Sequence, residues 1–181
     1  MTARLEDILD RVASGRLRPA DALRELKDFP YCDLDFAKVD HHRELRKGFP
    51  EIIYGLGKTP DQILKIALEI IKKGSNLLAT RVEPEAYKKI RSKLPKAVYN
   101  PAARTLSYKQ KTAVTGTGRI AIITAGTSDI PVAEEAAVTC DILGNDAVRI
   151  YDVGVAGLHR LLGEMDKIRG ARVIITVAGM E

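Results

Sequence analysis

Tryptophan is absent from this 181-residue chain, and aromatic residues as a class make up only 5% of it. Proteins that hold single-stranded nucleic acid alternate basic residues with aromatic faces on which bases stack. Here Lys72-Lys73, Lys88-Lys89 and Lys109 to Lys111 are spread along the chain, with no repeated alternation of that kind. A net charge of +5 and a pI near 9.2 therefore describe solvated faces, or an attraction for a small anion such as a dinucleotide; no nucleic-acid partner is expected. Cysteine is nearly as scarce. Cys32 and Cys140 are too few and too far apart for a disulfide framework or for metal-ligand spacing, so two reduced thiols are expected, Cys140 on a buried helix face, and no metal site. Long apolar runs are missing too: residues 120–125 and 173–178 fall far short of the ~20 needed to span a bilayer. The first residues, MTARLEDILDRVASGRLRP, interleave charges where a secretory signal would be uninterrupted and apolar. A cytoplasmic protein with no membrane span is the expectation.

What is present is ordinary globular material, 45% hydrophobic and 29% charged. Residues 5–12 and 19–27 show helical spacing and predict a helical hairpin over residues 1–33. A small α/β lobe follows over residues 34–115. Its strand candidates are 36–39, 51–54 and 76–80, its helices 60–73 and 84–94, and its extended piece 97–108. The helix from Pro60 has both boundary signals, with Thr59 able to cap its first amides, proline at its first position and Gly74 able to end it. The segment 111–118, with two glycines and several small residues, predicts a linker and a boundary near residue 116.

Beyond it the order is βαβαβ: strand 119–124, helix 131–143, strand 147–152, helix 158–168, strand 171–178. Apolar strands separated by amphipathic helices imply a parallel sheet with right-handed crossovers. The fold class expected is α/β, the small N-terminal lobe being followed by the first half of a doubly wound, three-layer parallel-sheet domain over residues 116–181. A chain ending directly after a buried parallel strand leaves apolar surface uncovered, so a truncated domain and association into a homo-oligomer are expected.

Open parallel sheets bind ligands beyond the carboxyl ends of their strands. Three loops fall on that edge. The first is Ala125-Gly126-Thr127-Ser128-Asp129-Ile130-Pro131, where glycine permits a tight turn, hydroxyls stand ready and helix amides form an anion seat. A simple helix cap at Ser128 or Asp129 explains part of it equally well. The second runs from Asp152 through Gly154 and Gly157 to His159 and Arg160, where cations in a first helical turn oppose the dipole unless they face a phosphate or carboxylate. A plain surface pair is the competing reading. The third is Ala178-Gly179-Met180-Glu181, whose carboxylate suits acid/base chemistry or a further cap. Upstream, Asp40-His41-His42 tempts a metal reading, but adjacent side chains point apart, and a hydrated turn is favoured. Arg43 and Arg46 share a face if that segment is helical, and would then meet an anion.

Together the AGTSD loop, the YDVGVAGLHR segment and the AGME strand end resemble the family of aminoimidazole ribonucleotide carboxylases, and more closely the LarB family. The segment from Asp40 through Arg43, Arg46, Gly48-Phe49-Pro50 to Ile53, with Gly57-Lys58-Thr59 after it, resembles the LarB N-terminal lobe. The resemblance implies a carboxylase that adds carbon dioxide, supplied as such or as bicarbonate, to the pyridinium ring of nicotinic acid adenine dinucleotide. It also implies cleavage of the phosphoanhydride to release AMP, in nickel-pincer cofactor biosynthesis for lactate racemase, and leaves room for Mg2+ on the substrate pyrophosphate. By the same resemblance, Ser128 and Asp129 bind the phosphate and ribose region; the loop and helix reading adds Gly126, Thr127, His159, Arg160, Arg43 and Arg46 as candidate substrate contacts. Asp152 positions the ring or ribose, and Glu181 handles a proton or water. The family uses a cysteine thiolate downstream of the AGME segment to make the electron-poor ring nucleophilic. This chain has no cysteine there, so no turnover is expected of it. A nucleotide- or phosphate-binding module without chemistry, and a purine-pathway ribonucleotide carboxylase, stay open beside this reading.

Overall fold

The computed structural model describes residues 2–26 and 31–179 and, within these, the side chains of all but residues 2–4, 45 and 46. It opens with helices α1 (Thr2–Ala13) and α2 (Pro19–Leu26), joined by an Arg11–Glu25 ion pair at 2.8 Å. Strand β1 (Tyr31–Asp33) then pairs antiparallel with β2 (Lys38–Asp40), with Cys32 opposite Val39. Residues 31–33, expected within the helical hairpin, are thus a strand. The reason is local: Asp33 Oδ1 accepts the Asp35 amide at 3.0 Å, and Asp35 takes a left-handed φ of 68° that turns the chain back. His41 and His42 form a turn, as expected, and the short helix α3 (Arg43–Lys47) follows, closed by Gly48 at φ 80°.

Strand β3 (Ile53–Tyr54) leads into α4 (Pro60–Lys72), whose start is a complete capping box. The Gln62 amide donates to Thr59 Oγ1 at 3.3 Å, and the Thr59 amide donates to Gln62 Oε1 at 2.9 Å. Strand β4 (Leu77–Thr80), helix α5 (Pro84–Ile90) and the hairpin of β5 (Val98–Asn100) and β6 (Thr105–Tyr108) complete a mixed sheet in the order β3-β4-β6-β5. Ile63, Ile66, Ala67 and Ile70 of α4 bury one face against Leu77, Ala79 and Leu106, with Val39 from the hairpin in the same cluster. Removing these side chains from water is the main stabilisation of the lobe, on the order of 1.5–3 kcal/mol for each large one.

The second sheet has β7 (Arg119–Thr124) in the middle, β8 (Asp146–Ile150) on one side and β9 (Ala171–Val177) on the other, all parallel. Strand alternation decides which helix covers which face. Ile120 and Ile122 meet Ala133, Ala137 and Cys140 of α6 (Ile130–Ile142), while Ala121 and Ile123 cluster with Ile150, Leu161 and Ile168 from the other side. The expected helix over 158–168 is two pieces, α7 (Leu158–Gly163) and α8 (Met165–Arg169). Gly163 is a poor helix former, and the Glu164 amide bonds back to Leu161 O at 3.1 Å, which closes the turn early. With α6 on one face and α7–α8 on the other, the protein is an α/β fold whose second sheet is wound in both directions.

The small sheet is fastened to α6. Asn76, only 9% exposed, donates to Ile142 O at 3.0 Å and Lys111 O at 3.1 Å, and accepts the amides of Gln110 and Lys111, each at 2.8 Å. Arg81 pairs with Glu135 at 2.9 Å and Lys109 with Asp141 at 2.6 Å. Among the described residues no helix is long and apolar enough to cross a membrane.

Candidate functional site

The order β8-β7-β9 puts the carboxyl ends of β7 and β9 side by side, at the switch point where open α/β sheets have their ligand crevice. Both loops at that crevice are built around one carboxylate. Residues Thr127–Asp129 form a single 3-10 turn ahead of α6, and Asp129 Oδ2 accepts the Gly126 amide at 2.9 Å. Asp129 Oδ1 accepts the Gly179 amide, beyond the end of β9, at 3.0 Å. The oxygens of Asp129, a residue expected at the phosphate or ribose, hold these two backbone amides and clasp the first loop to the third. Thr127 and Ser128 are exposed beside it, next to the amides that begin the 13-residue helix α6.

The second loop leans on the first. Asp152 takes a left-handed φ of 59°, held by its own amide donating to Thr124 Oγ1 at 3.0 Å, and Thr124 is fully buried. The Val153 amide donates to Thr124 O at 3.0 Å and the Gly154 amide to Ala125 O at 2.8 Å. A Cβ on Gly154 would stand 2.7 Å from Ala125 O, so only glycine permits this approach. Arg160 donates to Asp152 Oδ2, and its guanidinium lies so close to Gly157 that a Cβ there would meet Nε at 2.5 Å. Asp152 and Arg160 therefore act as a pair, each about half exposed, and His159 is exposed on the first turn of α7. The rim thus gathers Gly126, Thr127, Ser128, Asp129, Asp152 and Arg160 with Gly179. Glu181, like Met180, lies outside the described residues.

Arg43 does not join this rim. Its guanidinium stands 3.7 Å from Glu51 and 5.5 Å over the Phe49 ring. The neighbouring Glu44 accepts from Ser75 and Lys111, each at 2.8 Å, beside the Asn76 contact with the carboxyl end of α6. The rim is at the other end of that helix, which spans about 20 Å. Arg46 lies on α3 with its side chain outside the described residues. Neither cysteine stands at the rim: Cys32 is on β1, and Cys140 is buried in α6, where burial pushes its thiol up and away from the thiolate.

Sequence reasoning missed Glu134 of α6, whose partner Tyr151 immediately precedes Asp152 of the second loop. Its carboxylate, 14% exposed, accepts from Arg149 at 2.8 Å, the Tyr151 hydroxyl at 2.6 Å and Asn100 at 3.0 Å. Burial favours its protonated form, but the bonds from Arg149 and Tyr151 outweigh burial and hold Glu134 below the usual carboxylate range. Burial, then the bond to Glu134, pushes the Tyr151 hydroxyl well above its ordinary value, so it stays protonated. A lowered folded-state value stabilises the fold above the ordinary glutamate range, about pH 4.3. That contribution fades as pH falls through the lower folded value. Glu134→Gln is therefore expected to reduce stability at pH 7 and to flatten the acid limb of a urea-denaturation series between about pH 5 and pH 3; an unchanged acid limb would sink the assignment.

The fold and this rim define an α/β protein in which a small mixed-sheet lobe precedes a parallel sheet with loops joined at its switch point. The model of the LarB/PurE-like N-terminal domain matches residues 31–111. An uncharacterised protein of Methanocaldococcus jannaschii is 38% identical over 190 residues, an alignment covering 100% of this chain and 74% of that protein. The chain belongs to the LarB/PurE-like family, a carboxylase-related family, as the motif from Asp40 to Ile53 led us to expect.

Proposed function

We propose that the rim binds the nucleotide portion of nicotinic acid adenine dinucleotide, and that the family reaction at this site is carboxylation of the pyridinium ring with release of AMP. The observation that carries the reading is the Asp129 clasp, which unites the loops after β7 and β9 where a doubly wound sheet receives an anionic ligand. Backbone amides at the start of α6 and the Thr127 and Ser128 hydroxyls suit a phosphate, and Arg160, held by Asp152, supplies the cation. Asp129 has both oxygens engaged and Asp152 has one, so the described rim does not fit a resident Mg2+; a magnesium ion would arrive on the substrate pyrophosphate.

The pyridinium ring needs a nucleophile before it can attack carbon dioxide, and neither Cys32 nor Cys140 is placed to supply it. Calorimetry on this chain is therefore expected to show dinucleotide binding without AMP release. The longer Methanocaldococcus relative, given the dinucleotide, bicarbonate and magnesium, is expected to release AMP and a mononucleotide heavier by one carboxyl group. No binding by the first and no product from the second would overturn the proposal. Binding by both with no product from the relative would favour the second reading, a nucleotide-binding module, which the joined rim loops support without any chemistry. Preference for an aminoimidazole ribonucleotide would point to the purine-pathway carboxylases instead.

A further inference from the structure

A second cluster of reactive side chains lies on the opposite lobe, at the seam between the β1–β2 hairpin and helix α4. Cys32 pairs with Val39 across the hairpin, so the two side chains share a face. Val39 is 2% exposed and belongs to the core that α4 covers, which turns Cys32 toward that helix as well. His41 is two residues beyond Val39 and its imidazole comes to the same side, whereas the neighbouring His42 does not join. From α4, Glu69 follows Ile66 by one turn and precedes the buried Ile70. One ligand atom from each of Cys32, His41 and Glu69 lies within 4.8 Å of the other two, and all three residues are partly buried. Spacing along the chain concealed this set, because its third member is 28 residues beyond His41 and on another element.

We propose that Cys32, His41 and Glu69 bind one Zn2+ that fastens the hairpin to α4, with water as the fourth ligand. A thiolate, an imidazole and a carboxylate are the donor types zinc takes in tetrahedral sites. Ligand atoms around such an ion stand ~3.3–3.9 Å apart, given bonds of ~2.0–2.3 Å. The cluster therefore needs to close by at most about 1.5 Å, within the reach of side-chain rotation. Glu69 Oε2 is buried and has no hydrogen-bond partner, so one oxygen is already held inside the seam for a cation. The competing charge is Lys72, 3.6 Å from Glu69 Oε1 and 68% exposed, an ion pair of the kind that contributes little. On binding, the Cys32 thiol gives its proton to solvent as the zinc–sulfur bond forms, and no electron is transferred. The clip joins residues 32 and 69 and so removes loop freedom from the unfolded chain as well as fixing the hairpin.

The test uses the whole chain without a histidine tag. After exposure to zinc and desalting, elemental analysis is expected to find one zinc per chain. Cobalt(II) in its place is expected to give a near-ultraviolet sulfur-to-cobalt charge-transfer band with intense visible bands of tetrahedral geometry. Cys32→Ser should abolish the charge-transfer band, and Cys32→Ser, His41→Ala and Glu69→Gln should each weaken zinc more than about tenfold. Cys140→Ser should change neither. Because the cobalt spectrum reports the sulfur ligand directly, a loss of stability in one variant does not blur the answer. Less than one zinc retained per chain, or a band that survives Cys32→Ser, would overturn the proposal. Neither result depends on whether the rim binds a dinucleotide.

Discussion

Asp129→Asn is expected to destabilise the protein by about 1.5–3 kcal/mol and to weaken binding of nicotinic acid adenine dinucleotide more than tenfold. The amides of Gly126 and Gly179 meet different oxygens of the carboxylate, and an asparagine puts an oxygen at only one of those two places. Its NH2 group would face the remaining N–H, donor against donor, and the loop after β9 would come away from the loop after β7. Chemical denaturation and calorimetry on the same preparation measure the two effects. A variant as stable as the parent, with unaltered affinity, would remove the clasp from the argument and the nucleotide rim with it. Ser128→Ala separates the roles, since Ser128 is exposed: it should leave stability within about 0.5 kcal/mol and lower affinity alone.

Asn76→Ala is expected to cost about 2–4 kcal/mol and to loosen the joint between the lobes. Asn76 uses all its hydrogen-bonding capacity, two bonds donated and two accepted. Alanine leaves the amides of Gln110 and Lys111 and the carbonyl of Ile142 in a site too closed for full hydration. Asn76→Asp tests the same geometry by charge: it keeps the two accepted bonds but sets a carboxylate against the carbonyls of Ile142 and Lys111. It should be at least as damaging at pH 7 and milder in acid, where a protonated acid can donate one bond again. Hydrogen exchange at Gln110 and Lys111 would report the loosening directly, and unchanged protection there would refute it.

Much of the α/β order was legible because it is written in short-range patterns. Thr59, Pro60 and Gly74 mark the ends of α4 within one or two turns, and the apolar runs of β7 and β9 identify themselves. The rim loops were legible as loops for the same reason, since glycines and small polar residues punctuate the ends of strands. The role of Asp129 was not: a cap and a clasp look alike until the Gly179 amide, 50 residues away, is placed against the carboxylate. Glu134 was invisible among the alanines of α6, because its partners Asn100, Arg149 and Tyr151 come from both sheets. Arg43 shows the converse, a basic residue near a glycine that reads as an anion contact and that the structure sets 3.7 Å from Glu51.

By itself, then, the chain's sequence determined most of the elements, their order and the parallel character of the second sheet, consequences of periodicities and caps that act over a few residues, and its motifs pointed to the family. Only the tertiary structure decided the strand order β8-β7-β9 and hence the place of the crevice, the Asp129 clasp, the Asn76 joint, and the meeting of Cys32 and His41 with Glu69. Those depend on which faces pack together to bury apolar surface, a choice made by the whole core at once and therefore written in no single segment.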